Sequence, residues 1–165
     1  MALLVLSGFG TAIFGQKTAL LSDDLRDFRL ATSLYEDQQY VSAQVIFNEI
    51  LEREKPGTVA SDCAYWSAKC AIKSDQRDGD LLMQKFLREN PTSTWSNAAN
   101  LEVGRHYFGQ GNYEKAISWF DKVDEKNLNT TEKEQLAFQK GYGFFVMKDS
   151  KKAIQYLERV SNSEQ

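Results

Sequence analysis

The side chains able to do chemistry are few, and their spacing does not bring them together. His106 is the single histidine. It falls between Arg105 and Tyr107 in a helical pattern with no nucleophile beside it, so a packing or solvent-facing role fits better than catalysis. Cys63 and Cys70 lack the CxxC spacing of a zinc or redox site. Two helical turns hold them about 10 Å apart, beyond the roughly 7 Å a disulfide tolerates, so both read as small buried hydrophobes. The run DQRDGD, residues 75–80, places its glycine one position early for a calcium loop. Phe86 stands where the closing glutamate belongs, and a turn between helices is expected. In GTAIFGQKT, residues 10–18, Gln16 separates the second glycine from Lys17, and the strand-then-helix setting of a phosphate loop is missing. Asn129-Thr130-Thr131 fits a glycosylation acceptor and also a helix start, and the helix start is adopted. Glu132, Glu134, Asp121 and Asp124 are expected on solvated faces near lysines, without a convergent pair for acid–base work. The chain is therefore read as non-enzymatic, with no catalytic residue, metal, cofactor or small-molecule substrate assigned. Chemistry supplied by another part of a larger enzyme remains a separate reading.

The elements around these residues are helical. Of the 165 residues, 42% are hydrophobic and 26% charged, a globular balance, and only two prolines interrupt the chain. Pro56 and Pro91 both fall between apolar-periodic segments, where helices must break. Helices are expected over 23–37, 40–54, 58–74, 78–89, 94–110, 113–125, 131–147 and 150–161. Ser22 is expected to cap the first, and Thr131 with Glu134 to form a capping box at the seventh.

The helices repeat. Gly104, Tyr107, Ala116, Phe120 and Val123 recur 37 residues on as Gly141, Phe144, Ala153, Leu157 and Val160. Counting back 37, and then 36, gives Ser67, Cys70, Gly79, Met83, Phe86 and Ala31, Leu34, Ala43, Phe47, Ile50. One template of small, large, small, large, large therefore governs four units, at about 23–56, 58–91, 94–127 and 131–162. Two helices approach closely where side chains are small, so Ala31 is expected to face Ala43, and Gly104 to face Ala116. Positions 116, 120 and 123 form one helical stripe, and stacking of neighbouring hairpins would bury it as in a solenoid.

GNYEKAISWF, residues 111–120, closely resembles the turn and second helix of a tetratricopeptide repeat. The resemblance covers residues 23–162, strongest in the third unit and weakest in the second. There Gly79 replaces the usual alanine, and no counterpart of Tyr40 and Tyr113 appears. The family's period is about 34 residues, and the longer spacing here, with FLRENPTSTW, resembles envelope-associated members of Gram-negative bacteria. The resemblance implies an all-α, right-handed α-α superhelix that binds protein or peptide along its concave face. In this family the first helix of each hairpin lines that face. Carried over, the positions are Leu25, Phe28, Thr32 and Tyr35, then Ser61, Ala64, Ala68 and Ala71, then Ala98, Leu101, Arg105 and Phe108, then Gln135, Phe138, Tyr142 and Phe145. Phe28 and Thr32 occupy places that a carboxylate-clamp subclass fills with Lys and Asn, so that clamp is not expected. Phe28, Tyr35, Leu101, Arg105, Phe108, Phe138, Tyr142 and Phe145 form the expected groove for an apolar or amphipathic partner segment. The competing reading packs these rings between hairpins or fills the groove with another part of the chain. The last helix repeats the inward stripe Ala153, Leu157, Val160, so further repeats or association of copies through it are also expected.

Residues 2–15 form an apolar run, ALLVLSGFGTAIFG, too short for a membrane span of about 20 residues. The run reads as a signal peptide over 1–16, cleaved after Gly15 or Gln16, although its first cation is Lys17 rather than one preceding the run. An uncleaved associated or packed segment is the alternative. Residues 17–165 then form the repeat domain, exported to the periplasm or cell envelope, with no lipoprotein cysteine. The net charge of −3, without a block of like charge, offers no footprint for nucleic acid.

Overall fold

The computed structural model describes residues 12–161, with side chains from 23 to 160. The helices are α1 (Ala12–Glu36), α2 (Tyr40–Arg53), α3 (Thr58–Lys73), α4 (Gly79–Glu89), α5 (Ser96–Gly109), α6 (Tyr113–Phe120), α7 (Thr130–Val146) and α8 (Ser150–Ser161). A short 3-10 turn spans Glu125–Asn127, and no strand occurs among the described residues. Each helix packs on its chain neighbours, and α3 also meets α5. No described helix makes comparable contact with one more than two places along, so the array is open rather than a closed bundle.

The turns inside the four hairpins repeat in backbone geometry. Gln38, Asp75, Gly111 and Lys148 take φ of 62°, 54°, 74° and 62°. After each, the next amide closes the preceding helix: Gln39 N–H donates to Leu34 O, Gln76 to Ala71, Asn112 to Tyr107 and Asp149 to Phe144, at 2.8–2.9 Å. This is the left-handed, six-to-one helix termination. Three of the four left-handed positions carry an ordinary L-residue, at about 1–2 kcal/mol each, and the helices packed on either side hold them there.

Small residues set the helix approach. A Cβ on Gly104 would lie closer than 3.0 Å to two atoms of the Phe120 ring, and one on Gly141 would lie 2.8 Å from Leu157. These are the same two slots, 37 residues apart. Gly104 thus receives a large α6 side chain, and Ala116 of the same helix is fully buried in the core. Ala31, Ala43, Phe47 and Ile50 form the corresponding N-terminal core with Cys63 and Cys70, both free thiols.

Three boundaries differ from expectation. Helix α1 starts at Ala12, not 23, because proline-free AIFGQKTALLS continues the helical pattern; Ser22 lies inside the helix, not at its cap. Residues 1–11 of the expected leader lie outside the described residues, and α1 crosses Gly15, Gln16 and Lys17 without a break. Helix α6 stops at Phe120 instead of 125. The Asn97 side chain accepts from Asp124 N at 2.7 Å and donates to Asp124 O, holding that segment against the start of α5. The capping box at α7 is made by Asn129 and Glu132, two residues before the expected pair, with bonds of 2.9 and 3.0 Å.

Candidate partner-binding face

The odd-numbered helices carry the expected groove residues, and the structure divides these into three groups. Phe138, Tyr142 and Phe145 follow one another at i, i+4 and i+7 on α7 and are 50%, 40% and 65% exposed. Tyr142 stacks on Phe138 at 6.2 Å and meets Phe108 edge-on at 5.8 Å and Tyr113 at 5.7 Å. Phe108 and Tyr113 also touch, at 5.4 Å. Burial, then Tyr142, raises the Tyr113 phenol above its ordinary value. The result is an apolar surface shared by α5, α6 and α7, and Tyr113 is its unforeseen member.

A second group lies around α3. Tyr35 is half-buried against Tyr40 and Trp66, each at 5.1 Å. Trp66 stacks on Phe47 and meets Tyr65 and Trp95. The Lys69 ammonium stands 4.9–5.6 Å from the ring centroids of Tyr35, Tyr65 and Trp66. Burial lowers its pKa, and the Glu102 carboxylate at 3.7 Å opposes that shift. Lys73 reaches the other Glu102 oxygen at 3.7 Å, while Arg105 donates to the neutral Gln135 amide at 3.1 Å. Glu102 thus has two cations beside it, and Arg105 next to them is held by no carboxylate in this network. The sequence reading took Ala64, Ala68 and Ala71 for this stretch, but Ala68 and Ala71 are buried. Lys69 and Lys73 carry the cations of this group, while Trp66 packs between the hairpins.

The third group separates from both. Leu101 is 3% exposed inside the main core, where Leu128 and Leu136 also lie, so it is a packing residue and not a groove contact. Phe28 packs edge-on against Phe47 at 5.4 Å and lines a hollow with Leu25 and Val59, rimmed by Asp24, Glu54 and Asp62.

The remaining reactive groups do not converge. A His106 ring nitrogen lies 2.9 Å from the Gln110 amide nitrogen. Burial pushes the Cys63 and Cys70 thiols up to about 12. In DQRDGD, Asp75 to Asp78 lie in the turn between α3 and α4 while Gly79 and Asp80 open α4, and Asn129 caps α7. Among the described residues no cluster of His, Cys, Asp or Glu could hold a metal ion, and no helix is long and apolar enough to cross a membrane. No protein-family model matches the chain, and no curated protein matches it in sequence.

Proposed function

We propose that the chain is a non-enzymatic scaffold of tetratricopeptide type. Its hairpins stack as a right-handed superhelix, and its odd-numbered helices bind an apolar or amphipathic segment of another protein. The observation that carries this reading is the exposed stripe Phe138, Tyr142, Phe145, continuous with Phe108 and Tyr113. Three water-facing rings on one helix cost solvation, which a partner's apolar side chains relieve. Rings also lose little conformational entropy on binding, which suits them as anchors. The cations around Glu102 extend the face toward α3 and suit an acidic residue in the same segment. The apolar run at residues 2–15 supports export to the periplasm or cell envelope.

Selection from a displayed random-peptide library tests the binding reading. The unaltered chain is expected to enrich peptides with apolar or aromatic anchors at helical spacing. A Phe108→Asp plus Phe138→Asp variant is expected to lose them while keeping its helical circular dichroism. Equal enrichment by both proteins would reject the groove.

A further inference from the structure

The repeat makes each hairpin's outer faces comparable with those of the next, and this comparison exposes two unmatched halves of one interface. Between units three and four, Ile117 of α6 packs on α7: a Cβ on Gly143 would lie 3.1 Å from Ile117 Cδ1. Asp121, just past the end of α6, takes a 2.6 Å hydrogen bond from the buried Lys140 ammonium of α7. Moving 37 residues along the chain converts Ile117 into Ile154 and Asp121 into Glu158 on α8. Ile117 is 7% exposed and Ile154 is 56% exposed. Phe108 and its counterpart Phe145 differ in the same direction.

The complementary change occurs on α1. Lys140 and Val103 occupy one slot of the first helix, facing the preceding hairpin, and Trp66 and Leu30 occupy the same slot in units two and one. Val103 and Lys140 are buried and Trp66 is half-buried, but Leu30 is 50% exposed. Arg29 beside it is exposed, and Arg26, one turn earlier, is exposed but already paired with Asp23 and Asp27 at 3.3 Å. The α8 face therefore offers an isoleucine beside a carboxylate, and the α1 face offers a leucine beside the Arg29 guanidinium.

We infer that α8 of one copy docks on α1 of a second copy, reproducing the contact made inside the chain by α2 with α3, α4 with α5 and α6 with α7. Ile154 takes the role of Ile117 and Leu30 lies in the slot of Lys140, with the Arg29 guanidinium beside it to meet Glu158 as Lys140 meets Asp121. The two faces are different surfaces of the molecule, so the contact is heterologous and does not close into a symmetric pair. It adds copies head to tail.

The test uses Ile154→Glu and Leu30→Glu, both at exposed positions, so helical circular dichroism is expected to stay unchanged. In sedimentation velocity the unaltered chain is expected to grow heavier with concentration, and each variant to remain a monomer. An equimolar mixture of the two variants is expected to yield a one-to-one dimer, because each retains the face the other lost. A monomeric unaltered chain at every concentration would overturn the inference. So would a mixture that stays monomeric, or a Leu30→Glu variant that still pairs on its own, the outcome if α8 pairs with another α8. Association that survives both substitutions would also overturn it. Should either glutamate reduce helicity, Ile154→Asn and Leu30→Gln repeat the same mixing experiment. Phe108→Asp plus Phe138→Asp leaves both docking faces unchanged, so loss of peptide capture and loss of self-association are read separately.

Discussion

Gly104→Ala tests the close approach that sets the hairpin. Gaining a Cβ in a helix interior favours folding by about 1 kcal/mol. The same Cβ would sit closer than 3.0 Å to two Phe120 ring atoms, with a third at 3.2 Å, and that ring is itself buried with nowhere to retreat. Overpacking of a tight core costs about 1–3 kcal/mol, and contacts this short belong at the upper end. The net expectation is a loss of about 2 kcal/mol, read as a lower urea midpoint by circular dichroism. Gly109→Ala on the same helix meets nothing within 4 Å and should stabilise by about 0.5 kcal/mol. Placing Gly104→Ala in a Phe120→Leu background should shrink its cost below about 1 kcal/mol, a coupling that additive sites do not show. Costs that add within about 0.5 kcal/mol would refute the claim that these two residues set the helix spacing.

Lys148→Gly and Gln38→Gly should each stabilise by about 0.5–1 kcal/mol, because an L-residue is held at φ 62° in both turns, whereas Gly111→Ala should destabilise by a similar amount. Urea midpoints check all three. Asp121→Ala should cost about 1–2 kcal/mol by stranding the buried Lys140 ammonium, less than for a fully buried pair because Asp121 itself is exposed. Lys140→Met, which removes the charge as well, should cost less than Asp121→Ala in the same urea assay. The Cys63 and Cys70 thiols, raised by burial to about 12, should resist a thiol reagent at pH 8 until urea unfolds the chain. Their folded values exceed the unfolded value of about 8.5, so the linked stability is complete below that pH and declines as pH rises toward about 12. A urea midpoint that does not fall across that window would contradict this.

Much of the hairpin pattern was legible in the sequence, since small and large residues recur in register and the prolines mark the breaks. The turn positions were not legible by residue type: Gln38, Asp75, Gly111 and Lys148 share a left-handed conformation that only Gly111 advertises. The end of α6 was misplaced because the bond that draws Asp124 away comes from Asn97, 27 residues earlier in the chain. For the candidate site, the repeat slot told which side of a helix a residue takes but not how much covers it. Leu101 and Phe138 occupy the same slot, yet Leu101 is core and Phe138 faces water. Lys69 and Lys73 were missed because the second unit matches the template least well and its alanines were taken for the exposed stripe.

The proposed function depends on the ring-bearing side of α7 receiving the partner. Nuclear magnetic resonance mapping with a library-selected peptide tests this most directly. Shifts concentrated at Phe108, Phe138, Tyr142 and Phe145, extending to Lys69 and Arg105 for an acidic peptide, are the expected result. Shifts confined to Val41, Val45 and Leu81, which α2 and α4 expose, would contradict it.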